Sequence, residues 1–112
     1  MIIAIVKVKI PEGLSLADYR AMTKEIAPRF QAIAGLERKQ FLYSREEGVA
    51  GGVYLWQSRE AAEVCYRGPW RDNIRKAFGA EPEIAFFDCP VVVDNRAGKI
   101  LTILEKVGPE AV

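Results

Sequence analysis

The segment from Gly51 to Ala62 constrains the fold more than any other part of the chain, because an apolar strand passes through one polar residue into a helix. Val53 and Leu55 alternate with Tyr54 and Trp56, so large apolar side chains fall on both faces of this strand. A strand with one face exposed to solvent does not show this pattern. The segment therefore predicts a sheet that is covered on both sides.

The composition excludes several classes of partner. With 112 residues the chain has room for one hydrophobic core, and its 16 Lys and Arg nearly balance its 15 Asp and Glu. This balance gives no electrostatic reason to expect nucleic acid or an anionic membrane. No apolar run approaches the ~20 residues that span a bilayer, and the first residues lack the features of a signal peptide. We therefore expect a cytoplasmic protein whose partner is a small molecule or another protein chain.

The chain contains no histidine, which narrows its chemistry. The commonest general base, the usual haem ligand and the Ser-His and Cys-His nucleophile pairs are all excluded. Cys65 and Cys89 are too few for a four-thiolate site and fit ordinary buried thiols in a reducing compartment. No metal site is predicted, and any catalysis must use Tyr, Arg, Asp, Glu, Lys or Asn, or the reactivity of the substrate itself.

Hydrophobic periodicity and turn residues predict the secondary structure. Strands are expected at residues 2–10, 36–45, 49–57 and 83–93, with a short extra strand at 99–104. One helix is expected from Ser15 to just before Gly35, with a kink or break that Pro28 imposes near residues 26–27. A second helix follows an N-cap at Ser58 and is interrupted at Gly68 before it resumes to about residue 78.

The order strand, helix, strand, strand, helix, strand predicts a ferredoxin-like α+β fold, βαββαβ, with an antiparallel sheet and both helices on one face. The other face would be apolar, carrying Tyr54, Trp56, Ala85 and Phe87 or their alternates. Covering several large side chains is worth many kcal/mol at ~25 cal/mol per Å², which favours a homodimer that closes a dimeric α/β barrel. The alternative is a monomer in which a pocket or the C-terminal segment covers this face.

The order of elements, the turn at residues 34–36 and the Gly51 to Ala62 segment resemble the YdhR-type monooxygenases, relatives of the antibiotic-biosynthesis monooxygenases. The resemblance covers residues 1–94 as one domain and leaves 95–112 as a C-terminal extension. It implies a homodimer with a pocket between sheet and helices. It also implies oxygenation of an electron-rich aromatic or polyketide-like small molecule without flavin, haem or metal. Relatives with a histidine in the second helix differ from this chain, which has Cys65 and Tyr66 there.

The best local candidate for a site runs from Arg67 to Asn73, where a helix N-terminus meets arginines and an aromatic ring. The predicted catalytic residues are Tyr66, Arg71 and Asn73, and the predicted substrate-binding residues are Tyr54, Trp56, Trp70 and Phe87. A tyrosine is a poor base unless a cation lies beside it, and Arg67 or Arg71 would supply that cation. For each aromatic residue, packing in the core or the dimer interface is the competing interpretation.

These observations leave three functional hypotheses. The first is a cofactor-independent monooxygenase, and the second is a non-catalytic small-molecule binding or stress-associated dimeric barrel protein. The third, haem binding and degradation on the same barrel, is disfavoured because no histidine is available to ligate iron.

Overall fold

The computed structural model describes residues 1–103, and its helices and strands follow the predicted order. The elements are β1 (Ile2–Lys9), α1 (Leu16–Ile26), α2 (Pro28–Gln31), β2 (Leu36–Ser44), β3 (Val49–Trp56), α3 (Arg59–Arg67), α4 (Trp70–Phe78), β4 (Glu83–Asp88), β5 (Val91–Asp94) and β6 (Lys99–Thr102). Among residues 1–103, no helix has the length and apolar character that crossing a bilayer requires.

The main sheet is antiparallel and has the strand order β2-β3-β1-β4. One set of alternate residues in β1 and β3 is buried beneath the helices: Ile2, Ala4, Val6, Val8, Ala50, Tyr54 and Trp56. Side chains from α3 and α4, among them Tyr66 and Trp70, join the same core. The predicted ferredoxin-like α+β fold is therefore confirmed.

Pro28 divides the first helix as the sequence predicts. The Ala27 N–H still bonds the Thr23 carbonyl at 2.9 Å, but the Phe30 N–H reaches back only three residues to the Ala27 carbonyl at 3.0 Å. Because proline lacks an N–H, it cannot donate to the carbonyl of Lys24. The chain therefore turns at this point, and the short helix α2 presents Phe30 to the sheet.

Capping residues fix the second helical pair. The Ser58 hydroxyl accepts a hydrogen bond from the Ala61 N–H at 3.1 Å, which begins α3. Gly68 follows the last residue of α3, and Trp70 begins α4. Gly79 ends α4 in the left-handed conformation, with φ of 69°. The predicted interruption and both ends of this helical pair are confirmed.

Two glycines allow close approaches that larger residues would block. At Gly51, where φ is 155°, an added Cβ would lie 1.8 Å from the carbonyl oxygen of Val6 on the neighbouring strand. At Gly35, where φ is 81°, it would lie 2.5 Å from the Cβ of Ala61. The first glycine lets β1 and β3 pair, and the second lets the turn before β2 rest against α3.

The face of the sheet away from the helices is largely apolar, but its residues differ from one set named in the prediction. Tyr54 and Trp56 point toward the helices and are almost fully buried, which corrects their placement on the open face. The open face instead carries their neighbours in β3, together with Ile3, Ile5, Ala85 and Phe87. Phe87 is 52% exposed, so this face offers apolar surface to a partner.

The C-terminal part departs from the predicted single strand over 83–93. Pro90 separates β4 from β5, since proline cannot donate a ladder hydrogen bond. The predicted extra strand is present as β6, which pairs with β5 in a separate two-stranded sheet. Residue 104 of that prediction lies outside the described residues. The expected domain boundary after residue 94 falls at the end of β5, inside this hairpin.

Candidate functional site

A cavity of about 390 Å³ lies between the helices and the main sheet. Its walls are mostly apolar and come from several elements, including Met22 of α1, Phe30 of α2, Phe41 of β2, Tyr54 of β3 and Trp70 of α4. Ligand pockets commonly have volumes of ~300–1,000 Å³ and apolar walls with a few polar groups. The volume and the lining of the cavity are therefore in the range of a small-molecule pocket.

Two tryptophan–tyrosine hydrogen bonds brace one end of this cavity. Trp70 Nε1 donates to the Tyr54 hydroxyl at 3.1 Å, and Trp56 Nε1 donates to the Tyr66 hydroxyl at 3.1 Å. The Tyr54 and Trp56 rings are stacked, with centroids 6.0 Å apart and planes 2° apart. Burial raises the pKa of both tyrosines, so both hydroxyls stay protonated. The four side chains form a rigid aromatic support.

Lys39 of β2 brings an amino group to this otherwise apolar cavity. Its Nζ lies 3.3 Å from the ring centroid of Phe30, 4.1 Å from that of Phe41 and 4.5 Å from that of Tyr54. Burial lowers the pKa of Lys39 to about 7, and nearby Cys65 opposes this shift. The amine is therefore close to the balance between its charged and neutral forms at neutral pH.

The other ionisable groups lining the cavity are Tyr19, Arg29, Tyr54 and Cys65. Tyr19 donates a hydrogen bond to the Gly51 carbonyl at 3.0 Å, and burial raises its pKa. Burial also raises the pKa of the Cys65 thiol, with Lys39 opposing the shift. The cavity lining contains no Asp or Glu within residues 1–103. At neutral pH the residues that line the cavity are therefore either neutral or positively charged.

Three of the residues predicted from the sequence line this cavity: Tyr54, Trp70 and Asn73. Trp56 does not, because its side chain is fully enclosed in the core beneath Tyr54. Tyr54 and Trp70 form the aromatic wall, and Asn73 on the exposed side of α4 contributes a polar group.

The other three predicted residues lie elsewhere. Tyr66 is a buried core residue whose pKa is raised by burial, and its role as a proton shuttle beside an arginine stays a prediction. Arg71 lies with Tyr66 along a separate surface depression and forms a salt bridge with Glu81 at 3.5 Å. Phe87 points from the opposite face of the sheet, so it does not line the cavity.

Sequence reasoning missed Lys39, Tyr19 and Cys65 as cavity residues. A usable signal existed for Lys39, because Lys39, Phe41 and Tyr43 alternate along one strand and must share a face. No group of three or more His, Cys, Asp or Glu side chains suited to a metal ion occurs within residues 1–103.

The fold and the cavity define a ferredoxin-like α+β protein with a mostly apolar cavity between its helices and its sheet. The chain belongs to the family described as "Putative mono-oxygenase ydhR", whose model matches residues 5–85. This match confirms the resemblance drawn from the strand-to-helix segment. No curated protein matches the sequence at a significant level.

Solved structures with the same fold include enzymes of two kinds. The haem degrader MhuD of Mycobacterium tuberculosis, with two haems in its active site, is 18% identical with a TM-score of 0.61, over 96% of this chain and 100% of that one. SnoaB of Streptomyces nogalater, a cofactor-independent oxygenase, is 16% identical with a TM-score of 0.56, over 79% and 92%. The ActVA-Orf6 monooxygenase of Streptomyces coelicolor, in complex with nanaomycin D, is 13% identical with a TM-score of 0.57, over 96% and 91%. At such low sequence identity, these similarities show a shared fold and nothing about shared activity.

Proposed function

We propose that this protein is a cofactor-independent monooxygenase acting on an electron-rich aromatic or polyketide-like small molecule. The observation that carries the proposal is the aromatic cavity of about 390 Å³ in a chain of the ydhR family. The fold shared with SnoaB and ActVA-Orf6 supports the same reaction class.

The chemistry needs little from the protein when the substrate is acidic and easily oxidised. An anthrone, for example, loses a proton to give a stabilised carbanion, which can reduce oxygen without a redox cofactor. In the complete reaction the methylene carbon loses two hydrogens and gains one oxygen atom, while the second oxygen atom leaves as water. The protein must hold the planar substrate, assist loss of the proton and exclude bulk water.

Different residues in and around the cavity are suited to holding, hydrogen-bonding and positioning the substrate. Tyr54 and Trp70 would contact the substrate from two directions, because their ring planes lie 81° apart and their hydrogen bond fixes both rings. Asn73 would donate or accept a hydrogen bond at a substrate oxygen. Trp56 and Tyr66 would act as positioning residues, since they support the Tyr54 ring from the core.

The cavity offers a haem iron no histidine and no anionic ligand. Histidine is absent from the chain, and the cavity residues that could ligate iron as anions are Tyr19, Tyr54 and Cys65. Both phenols already take part in hydrogen bonds, and burial raises the pKa of all three groups, which favours their protonated forms. The neutral donors in the lining include the Met22 thioether and the Lys39 amine. A haem titration without a shift of the Soret band would exclude the haem-degrading alternative.

We also propose that the protein is a homodimer in which the open faces of two sheets cover one another. Phe87 is 52% exposed on this face, and Val53 and Leu55 lie in the same layer. The β5–β6 hairpin borders one side of the layer at Val91 but leaves Phe87 exposed. A second copy would remove this apolar surface from water.

The proposed activity is tested by oxygen uptake with protein that has been stripped of metal. Addition of an anthrone should cause oxygen consumption and formation of the corresponding quinone, and Trp70→Leu should slow this reaction. Turnover that depended on an added metal would contradict the cofactor-free mechanism. If the alternative of simple ligand binding held, tryptophan fluorescence would change while the anthrone remained chemically intact under oxygen.

A further inference from the structure

Lys39 lines the cavity, and the proposed function so far gives its amine no role. Its aliphatic stem crosses the buried face of the sheet beside Gly52, where an added Cβ would lie 3.3 Å from Lys39 Cε. Its Nζ is surrounded by the rings of Phe30, Phe41 and Tyr54. Within residues 1–103 the Lys39 side chain forms no hydrogen bond or salt bridge with another residue. Lys39 is half-buried, and an amine set against three rings without an acceptor in the protein leaves its N–H donors available to a bound ligand or to water.

The surroundings of Lys39 would accept a negative charge on that ligand. The ionisable groups that face the cavity are Tyr19 from α1, Arg29 from α2, Tyr54 from β3 and Cys65 from α3. Both tyrosine hydroxyls and the thiol stay protonated, for the reasons given above, and Arg29 adds a second cation. Among residues 1–103 no carboxylate lines the cavity, so an anionic oxygen there is attracted by both cations, while the Glu37 carboxylate lies in the neighbouring depression that Lys39 also borders.

Two opposing effects hold the amine ready to exchange a proton. Burial favours the neutral form and brings the pKa of Lys39 to about 7. The faces of the three rings favour the ammonium form, because their π-electrons attract a cation. Lys39 can therefore be neutral before a ligand binds and charged after it takes a proton.

We propose that Lys39 is the proton acceptor of the cavity and binds the acidic hydroxyl of a phenolic or enolic aromatic substrate. In this step the substrate O–H bond breaks, an N–H bond forms on Nζ, and the electron pair stays on the substrate oxygen. The products are an ammonium and an oxyanion in direct contact, which is a charge-assisted pair. This role rests on the proposed oxygenase function, for which it supplies the deprotonation that a chain without histidine must make by other means.

The position of Lys39 on β2 also provides a route by which the proton can pass from the amine to solvent. β2 is an edge strand, and Lys39 borders both the cavity and a shallow surface depression that includes Gln31 and Glu37. The proton taken from the substrate can pass to solvent on this side without crossing the cavity. The amine is then returned to its neutral form for the next substrate molecule.

The proton transfer can be measured without any oxidation. Under anaerobic conditions, para-nitrophenol would be bound to the wild-type protein near pH 7, where part of Lys39 is neutral and the free phenol is a mixture of its neutral form and the yellow phenolate. We expect the bound phenol to be mostly phenolate in the wild type and mostly neutral in Lys39→Met. We expect the affinity for the phenolate to fall roughly tenfold to a hundredfold in this variant.

Two further variants separate the role of Lys39 from general effects. Lys76→Met removes an exposed lysine from α4 and should leave the phenolate fraction unchanged. Lys39→Arg keeps a cation that cannot give up its proton, so it should still bind phenolate but lose most of the anthrone oxidation rate. Circular dichroism and thermal unfolding check that each variant is folded.

The outcomes distinguish this proposal from the proposed oxygenase function. A wild-type protein that left bound para-nitrophenol neutral, failed to bind it, or matched Lys39→Met would overturn the role of Lys39. Retention of the full oxidation rate in Lys39→Arg would also overturn it, while leaving the oxygenase function intact. Ionisation of the phenol by Lys39 without any oxygen uptake would support this proposal and refute the oxygenase function.

Discussion

The indole nitrogen of Trp70 donates a hydrogen bond to the hydroxyl of Tyr54 over 3.1 Å, and the pair joins the start of α4 to the middle of the sheet. Both side chains are almost fully buried, with 1% of Tyr54 and 8% of Trp70 exposed. The same two rings form part of the cavity wall. The stability of the core and the shape of the ligand site therefore depend on one contact.

Tyr54→Phe should destabilise the fold by about 1–3 kcal/mol, because the buried Trp70 N–H would lose its acceptor. The measurement is the free energy of unfolding from urea titration. Replacing both partners, in Tyr54→Phe with Trp70→Phe, removes the unpaired donor, so the double variant should lose less stability than the two single changes added together. Additive losses would show that the hydrogen bond contributes little.

Gly52→Ala should crowd two side chains that line the cavity and the neighbouring strand β2. The new Cβ would lie 3.1 Å from the Gln40 carbonyl oxygen, 3.1 Å from Tyr54 Cε1 and 3.3 Å from Lys39 Cε, so the β2 backbone and both side chains must shift. We expect a loss of about 1–3 kcal/mol in unfolding free energy and weaker binding of para-nitrophenol. Gly68→Ala is the matched control, since its nearest neighbour would lie at an ordinary 3.5 Å. Equal effects of the two changes would argue against a special role for the space at Gly52.

Lys39 should make stability depend on pH between about 7 and 9. Burial lowers its pKa in the folded protein to about 7, against about 10.4 for an unperturbed lysine. Between these values the unfolded chain binds the proton and the folded chain does not, so the free energy of unfolding rises with pH. Below pH ~7 both states hold the proton, and this dependence disappears.

The comparison of wild type with Lys39→Met isolates this contribution. The difference in unfolding free energy between the two should change steadily across the pH ~7–9 range, in favour of the wild type as pH rises. Lys76→Met should run parallel to the wild type, because Lys76 is exposed. Parallel curves for all three proteins would mean that Lys39 titrates as an ordinary surface lysine.

Phe87→Glu should weaken the proposed homodimer, because it places a charge in the apolar layer of the open face. Sedimentation equilibrium at micromolar concentration should show a shift toward monomer. Val64→Glu is the matched control, since Val64 is 60% exposed on α3, on the opposite side of the sheet. A wild-type protein that is already monomeric at this concentration would refute the dimer.

Local signals in the sequence were sufficient to predict the order of helices and strands in the main fold. Pro28 marked the break between α1 and α2, Ser58 marked the start of α3, and Gly79 marked the end of α4. Each acts through its own backbone geometry, so no knowledge of distant contacts was needed. The family followed from the same strand-to-helix segment and is confirmed by the match over residues 5–85.

The site was harder to predict because its residues come from separate elements. Trp56 and Tyr54 alternate with Val53 and Leu55, and both sets are apolar, so periodicity did not show which set faces the helices. Nothing in the sequence of β2 distinguishes Lys39 from a surface lysine. Only the tertiary structure places its amine among rings from α2, β2 and β3.

The bend at Pro28 has a consequence for how substrate preference can change within this fold. Phe30 owes its position above Lys39 to the change in direction between α1 and α2, while Pro28 itself is exposed and does not line the cavity. A substitution at Pro28 would change the position of Phe30 in the cavity wall without replacing any residue that lines the cavity. Directed evolution for new substrates can therefore target Pro28, which lies on the outer surface of the molecule.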